Sequence, residues 1–354
     1  MRKPIERRGV MMKPSTLAIF LVLALVLACT PLSCAKQSQV EPEFTLTLTC
    51  ESATTSTEGK VAQKLADLIE EHTQGRVKVE VFPAGMLYTS ATEWEALTTG
   101  GVDVVVTYLY YLTRQLPFLM VTWTEGPWEG PDHANRFYKS PEMAQKMTES
   151  LEPLNVRHLA LTAGTQRSAY WTDVRELKSR RDFEGLRCAI RAGSAVSAPL
   201  VWAKVEPVEV PAAEISMSMQ NKVVELVSMD VPTGVAQEWY DFAKHVYVTR
   251  AAALGLFVGM NLDTWDSLPA DIQEIIANEV LPELQTYAEE EGKRMEDASV
   301  EELRGKVETI NFETAEQMIA MWEEIKDYPE TGVAIKMAGP ELMQLIDGLR
   351  PSKD

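Results

Sequence analysis

The pattern of apolar and polar positions along the chain predicts alternating strands and helices. Residues 44–49, FTLTLT, alternate with a period of two and predict a half-buried strand. Residues 57–75 place apolar side chains at helical spacing and end at a glycine, which predicts a helix. Residues 102–107, VDVVVT, form an almost continuous apolar run, as in a strand covered on both faces.

The same alternation continues through the middle of the chain. It predicts a helix at 90–98 and further strands at 77–82, 157–161, 187–191, 205–210 and 226–229. From Pro269 onward the pattern is nearly all helical, and Pro282 is expected to kink or split this stretch. Alternation of apolar strands with helices predicts an α/β fold with a parallel, doubly wound sheet.

The N-terminal segment has the pattern of a secretory signal peptide. Residues 2–13 carry five basic side chains and one acid, and residues 15–28 are uncharged and mostly apolar. The apolar run is short for a membrane span, although a retained transmembrane anchor is the alternative. Met11 or Met12 would serve equally well as the start, because a positive charge still precedes the apolar run.

The residues after this run suggest processing at a cysteine. The sequence Val-Leu-Ala-Cys at 26–29 resembles the lipobox of bacterial lipoproteins, which implies that residues 1–28 are removed and Cys29 is lipidated. Cys34 is a second candidate, and conventional cleavage is the alternative to lipidation. Residues 29–42 would form a tether, and the expected location is the periplasm or the outer face of the cell membrane.

Charge and cysteine content exclude several classes of protein. Removing residues 1–28 takes the net charge from −18 to −22, which argues against binding nucleic acid or an anionic lipid surface. Cys50 and Cys188 each lie in apolar surroundings in the sequence. We expect two buried, inert thiols, with a disulfide between them as the alternative.

Sequence motifs of enzymes and metal sites are missing. The four histidines have no partner at metal-ligand spacing, and there is no nucleophile elbow, phosphate-binding loop or dinucleotide fingerprint. His72 and His245 fall in stretches interpreted as helical. The sequence therefore predicts a protein that is not an enzyme and has no cofactor and no metal.

Six segments, in this order and spacing, carry a family resemblance over nearly the whole chain after residue 42. Together they resemble the extracytoplasmic solute receptors of TRAP transporters, the DctP-type substrate-binding proteins. The segments are RVKVEVFPAGML (76–87), EWEALTTGGVDVVVT (93–107), LPFLM (116–120), DFEGLRCAIRAGS (182–194), EISMSMQNKVVEL (214–226) and NLDTWDSLPADIQEII (261–276).

The resemblance implies a two-lobe periplasmic-binding-protein fold of type II-like architecture. Each lobe would be a doubly wound sheet flanked by helices, with a long helix joining the lobes. Lobe I would comprise 43–163 and 252–291, and lobe II 164–251 and 292–354. The implied function is capture of a carboxylate-containing organic solute between the lobes and delivery, as a monomer, to the small and large membrane permease subunits of a TRAP transporter. A bilobal sensor for a signalling partner, or an enzyme on the same fold, are the alternatives.

Arginines are the candidate groups for the solute carboxylate, since a guanidinium meets a carboxylate with two parallel hydrogen bonds. The family's arginine position falls on Ala189, whereas this chain has Arg187 and Arg191, which share a strand face with it. Arg191 is the preferred candidate. Arg167 follows the family's second arginine position but is displaced by one residue.

The resemblance implies five further cleft residues. Glu51 follows the first strand, Tyr108 the VDVVVT strand and Trp171 the Arg167 segment, while Ala212 lies in a loop and Met229 replaces a residue that is often Asn. Aromatic and methionine side chains suit apolar ligands. We therefore expect a solute with an apolar or aromatic body rather than a small dicarboxylate.

Overall fold

The computed structural model describes residues 41–163, 168–191, 197–211, 214–250 and 255–350. In this part of the chain the strands are β1 (Phe44–Thr49), β2 (Val77–Phe82), β3 (Val104–Tyr108), β4 (Val156–Ala163), β5 (Ser168–Thr172), β6 (Arg187–Arg191), β7 (Glu206–Val210), β8 (Val227–Asp230), β9 (His245–Val248), β10 (Gly255–Asn261) and β11 (Thr309–Phe312). The bounds of β1, β2 and β6 are those predicted from the sequence.

The α-helices flank and connect these strands. They are α1 (Thr57–His72), α2 (Glu93–Thr99), α3 (Met120–Trp123), α4 (Pro131–Tyr138), α5 (Pro141–Leu151), α6 (Ala198–Trp202), α7 (Ile215–Gln220), α8 (Val231–Ala236), α9 (Leu262–Ser267), α10 (Ala270–Ile275), α11 (Leu281–Leu303), α12 (Ala315–Ile325) and α13 (Pro329–Gly348). The described residues from Pro42 onward belong to one compact unit.

The first sheet has five strands in the order β2-β1-β3-β10-β4. β1 runs parallel to β2 and β3, but β10 runs antiparallel to both of its neighbours. The prediction of a wholly parallel sheet is therefore wrong. Counting strand–helix units along the sequence cannot detect β10, because this strand returns late in the chain and inserts between two earlier strands.

The second sheet has four strands in the order β11-β9-β5-β8, and β6 and β7 form a separate parallel pair. We call the five-stranded sheet with its helices the first layer, and the four-stranded sheet with the β6-β7 pair and their helices the second layer. β5 is antiparallel to β8 and β9, and β11 is parallel to β9. The amide of Ala189 in β6 donates a hydrogen bond to the carbonyl of Leu226 over 2.9 Å, which joins the strand pair to the segment before β8. The structure thus has the predicted α/β architecture, with separate hydrophobic cores around the two sheets.

A continuous helical segment from α10 to α11 connects the two layers. Leu284 and Ala288 lie in the core of the first sheet, whereas Val300 and Leu303 lie in the core of the second. Pro282 does not split this stretch, since α10 continues into α11 through the π-helical turn Ile276–Val280 directly before it. A π turn changes the hydrogen-bond spacing and so accommodates a residue without an amide hydrogen.

The last helix, α13, packs in a hydrophobic cluster with residues of the first sheet. Its buried residues Ala338, Leu342 and Ile346 belong to the same hydrophobic cluster as Trp128 and Phe137. The lobe boundaries expected from the sequence placed this helix in lobe II. In the structure, residues 338–346 of this helix pack with the first sheet, and the assignment of 292–354 to lobe II stays a prediction.

A buried ionic cluster links the two layers. Arg180, in the short turn Arg180–Phe183, pairs with Glu313, which follows β11, through Nε to Oε1 over 2.6 Å and Nη2 to Oε2 over 3.1 Å. Its Nη1 also pairs with Glu125, which follows α3. The amide of Arg250 donates to Glu313 Oε2 over 2.9 Å. One arginine thus neutralises two acids from different layers.

Candidate functional site

Tyr108 lies where the two sheet layers meet. It is the last residue of β3, at the edge of the first sheet where β1 also ends. Burial raises the pKa of its phenol, and the carboxylates of Glu58 and Asp230 raise it further. Glu58 is in the first turn of α1, whereas Asp230 ends β8 of the second sheet, so the tyrosine lies between acids from both layers.

Three tyrosines form a group at this edge. The rings of Tyr108 and Tyr110 stack with centroids 5.6 Å apart, and those of Tyr110 and Tyr111 are tilted with centroids 4.0 Å apart. Burial raises the pKa of the Tyr111 phenol, and the side chains of Tyr110, Ser90 and Glu51 lie close enough to influence it. Two predicted site residues, Tyr108 and Glu51, are therefore connected through this group.

Glu58 organises the loop that follows β1. Its Oε1 accepts a hydrogen bond from the Glu51 amide over 2.9 Å, and its Oε2 accepts one from Ser52 Oγ over 2.6 Å. Burial raises the pKa of this carboxyl despite these hydrogen bonds. The loop holds Glu51 half-buried at the sheet edge, as its predicted position at the end of the first strand requires.

Glu93 is a second buried acid at the same edge. It is only 2 % exposed, and its Oε1 accepts a hydrogen bond from Thr107 Oγ1 over 2.5 Å. Desolvation, followed by repulsion from the carboxylates of Glu58 and Glu51, raises its pKa to about 7. Three carboxyl groups thus lie close enough to influence one another at the ends of β1 and β3.

A cavity of about 360 Å³ opens beside these acids, between α2, β3 and the turn after β3. Its polar lining includes Glu93, Thr107, Tyr111, Arg114 and Gln115, and its apolar lining includes Trp94 and Phe257. Pockets of roughly 300–1,000 Å³ that combine an apolar wall with a few polar groups are typical of small-molecule sites.

Arg187 lies on β6 as predicted, but acidic and backbone groups already pair with it. Its Nη2 is 3.0 Å from Glu225 Oε1 and donates to the carbonyl of Lys222 over 2.9 Å. The pKa of the guanidinium is raised by these contacts with Glu225, and its side chain is 40 % exposed. Arg191 ends β6 and pairs through its backbone with Val210, while its side chain lies outside the described residues.

Trp171 is a core residue of the second sheet. It is fully buried, its Nε1 donates to the carbonyl of Met229 over 3.0 Å, and its ring meets Trp239 edge-on with centroids 5.9 Å apart. The indole also lies against Gly234, where a Cβ would come within 2.2 Å of the ring. Met229 is half-buried on β8 and packs against the same core. Trp171 therefore belongs to the core of the second sheet rather than to a ligand-facing surface.

Several predicted site residues lie outside the described residues. These are Arg167, Ala212 and Cys29, together with the side chain of Arg191. Cys50 and Cys188 are free and buried, as expected, and burial raises the pKa of each thiol to about 12.

Sequence reasoning missed Glu58, Glu93 and Asp230 as parts of the site. In the sequence each is an acid of the kind commonly found in the first turn of a helix or at the end of a strand. Only the folded structure shows that they lie near one another. His245 was also misplaced, since it begins β9 rather than lying in a helix.

Within the described ranges, no three His, Cys, Asp or Glu side chains are grouped as metal ligands. The described helices include none with the length and apolarity to cross a membrane.

A family model matches most of the chain, and two relatives of known ligand are similar to it. The family model "Bacterial extracellular solute-binding protein, family 7", DctP, matches residues 49–330. The C4-dicarboxylate-binding periplasmic protein DctP of Rhodobacter capsulatus is 24% identical over 283 residues, covering 75% of this chain and 79% of that protein. The sialic acid-binding periplasmic protein SiaP of Vibrio cholerae is 24% identical over 252 residues, covering 70% and 77%.

The fold is similar to solved structures of the same kind. A TRAP periplasmic solute-binding protein from Ochrobactrum anthropi, with its C-terminus bound in the ligand-binding pocket, superposes with a TM-score of 0.78. The sequences are 16% identical, and the superposition covers 87% of this chain and 95% of the other.

Proposed function

Since this chain belongs to the bacterial extracellular solute-binding proteins of family 7, the DctP family, we propose that it binds a carboxylate-bearing organic solute in the cleft between its two layers. As an extracytoplasmic receptor of the TRAP type, it would then deliver the solute to the small and large permease subunits in the membrane. No chemical change of the solute is part of this proposal, so the solute should be recovered intact after binding.

The observation that supports this proposal most strongly is the family match over 49–330, which includes β6 and the ends of β1 and β3. The relatives named above bind C4-dicarboxylates and sialic acid, which are organic acids. Tyr108 and Met229 are half-buried in the first and second layers. They support our expectation that the solute has an apolar or aromatic body rather than being a small dicarboxylate.

The arginine that binds the carboxylate is proposed to be Arg191 rather than Arg187. A charge-assisted hydrogen bond in a dry cleft contributes about 1.5–3 kcal/mol, so Arg191→Ala should weaken binding roughly tenfold to a hundredfold. Arg191→Lys should restore little, because an ammonium cannot form the bidentate contact. Arg187 is already paired with Glu225, so Arg187→Ala should change affinity much less.

Isothermal calorimetry with a bound acid, on both alanine variants and on Arg167→Ala, tests this ranking and the proposed function together. Circular dichroism confirms that each variant is folded. If Arg187→Ala abolishes binding while Arg191→Ala leaves it intact, the ranking is wrong.

We also propose that the protein is lipid-anchored through Cys29, on the strength of the Val-Leu-Ala-Cys junction at residues 26–29. Cys29→Ser should release the protein from the membrane fraction of cells that express the full chain, whereas Cys34→Ser should leave it there. Detection is by immunoblot of separated membrane and periplasmic fractions. Retention of the Cys29→Ser protein in membranes would contradict the anchor.

A further inference from the structure

The loop between α3 and α4, residues 124–130, is fixed to the first layer. Trp128 in this loop is almost fully buried in the same hydrophobic cluster as Phe137 of α4. Its indole Nε1 donates a hydrogen bond to the carbonyl of Val121 in α3 over 3.1 Å. Glu125 therefore holds its carboxylate on a loop whose position the first layer determines.

Two arginines of the second layer bind this loop. The Nη1 of Arg180 pairs with the Glu125 carboxylate. Arg250, which lies shortly after β9, donates from Nε and Nη2 to the carbonyl of Glu129 over 3.3 and 3.0 Å. Both arginines also contact Glu313 of the second layer, Arg180 through its guanidinium and Arg250 through its backbone amide. We call these five residues the interlayer clasp.

The clasp holds its charges away from water. The side chains of Arg180 and Glu313 are 2% and 1% exposed, and that of Glu125 is 14% exposed. Removing one partner from a buried ion pair is strongly unfavourable, because it leaves the other charge without compensation in a medium of low polarity. Hinge motions, by contrast, are absorbed by a few residues in loops or at the ends of elements. We therefore expect the two layers to rotate about the clasp rather than to separate at it.

The clasp is rigidly connected to β6. Arg180 begins a short turn that a capping box between Ser179 and Asp182 stabilises. Phe183, at the end of this turn, packs in the same buried cluster as Cys188 of β6. The position of the clasp therefore determines the position of the strand that carries the proposed carboxylate-binding arginine.

We infer that the interlayer clasp is the pivot about which the two layers close on a solute, and that Glu125 and Arg180 position β6 against the first layer. This inference rests on the proposed function and adds two positioning residues that act through β6 rather than on the solute. Without the contact between Glu125 and Arg180, β6 would take several positions relative to the first sheet. A smaller fraction of molecules would then have the binding geometry, and the apparent affinity falls with that fraction.

Spin labels on two pairs of introduced cysteines test whether the clasp is the pivot. The cross-layer pair replaces Met86, which follows β2, and Met217 of α7, whose side chains are exposed and belong to different layers. The clasp pair replaces two exposed residues beside the clasp, Asp132 of α4 and Lys178. Pulsed electron paramagnetic resonance measures the distance within each pair with and without an acid.

Serine replaces Cys29 and Cys34 in the labelled protein, so that only the introduced cysteines react, because the native cysteines of the described chain are buried. Succinate, 3-phenylpropionate and sialic acid are titrated into this protein by calorimetry, and each acid that binds is used for the distance measurements. A bound acid should shift the distance of the cross-layer pair and leave that of the clasp pair unchanged.

The variant Glu125→Gln tests the positioning role. It removes the charge that pairs with Arg180 across the layers but leaves the pair of Arg180 and Glu313 within the second layer. The distance distribution of the clasp pair should broaden, and affinity for the acid should fall roughly two- to thirtyfold, the range of coupling effects from residues that do not contact a ligand. Glu324→Gln, at an exposed acid that pairs with Arg181, should change neither.

Each part of the inference can be overturned separately. If the acid shifts the clasp pair as much as the cross-layer pair, the clasp is not the pivot. If Glu125→Gln broadens the clasp pair but binds the acid as tightly as the wild type, the positioning role is wrong. If Glu125→Gln matches the wild type in both distances and affinity, the whole inference is wrong while the proposed function stands. If none of the three acids binds, the proposed function fails, and the clasp-pair distributions of Glu125→Gln and the wild type still decide whether the clasp fixes the layers.

Discussion

Replacing Arg180 by methionine is expected to lower the free energy of unfolding by about 3–5 kcal/mol, the usual result of removing one partner from a buried ion cluster. Arg180 and Glu313 are almost fully buried, with side-chain exposures of 2% and 1%. Without the guanidinium, Glu313 and Glu125 would remain as two acids of like charge in a dry environment. Most of the decrease in the free energy of unfolding comes from leaving these two carboxylates without a positive partner, rather than from the lost hydrogen bonds.

The adjacent residue provides a matched control. Arg181 pairs with Glu324 over 2.8 Å, but their side chains are 48% and 55% exposed. Arg181→Met should therefore change stability by no more than about 1 kcal/mol. Urea denaturation of the two variants and the wild type measures the difference. Equal losses for Arg180→Met and Arg181→Met would contradict the description of a buried cluster that links the layers.

The stability of the protein should also depend on pH through Glu93. An unfolded glutamate loses its proton near pH 4.5, whereas the folded carboxyl retains it to about pH 7. Binding of this proton contributes its full stabilisation below pH 4.5, the pKa of Glu93 in the unfolded chain. The contribution is lost as the pH rises from there through about 7, the pKa in the folded protein. The difference between pKa values of 4.5 and about 7 corresponds to roughly 3 kcal/mol of stability.

The variant Glu93→Gln isolates this contribution, because it cannot ionise. We expect wild type and Glu93→Gln to respond differently to pH, with the variant gaining roughly 3 kcal/mol relative to wild type between acidic and mildly alkaline solution. Urea unfolding of both proteins across that range measures the gain. Glu142→Gln, at an exposed acid in the first turn of α5, should follow the wild type. Parallel curves for wild type and Glu93→Gln would show that Glu93 ionises as an exposed acid does.

The strands with strong local patterns were predicted most accurately. β1 alternates apolar and polar residues and β6 follows a glycine turn, so their bounds could be derived from neighbouring residues alone. β5, β9, β10 and β11 were missed, because short or wholly apolar segments do not reveal their pairing. β10 is buried at all seven positions and has no periodicity that distinguishes a strand from a buried helix.

Site residues could be predicted where their position relative to a strand is evident from the sequence, and not where it depends on tertiary packing. Tyr108 and Glu51 follow strands, and strand ends at one edge of a sheet meet in space, so sequence position was informative. Trp171 also lies on a strand, but β5 is an internal strand of its sheet. The indole packs in the hydrophobic core of that sheet. Glu93 could not be identified, since its burial depends on Thr107 and on the packing of α2 against β3.

The most direct test of the central claim is mass spectrometry of small molecules released by denaturing freshly purified protein. The account predicts a bound organic acid in near-stoichiometric amount, carrying a carboxylate, which rebinds unchanged after removal. Recovery of a solute without a carboxylate, or steady conversion of the released solute when it is returned to the protein, would contradict the account.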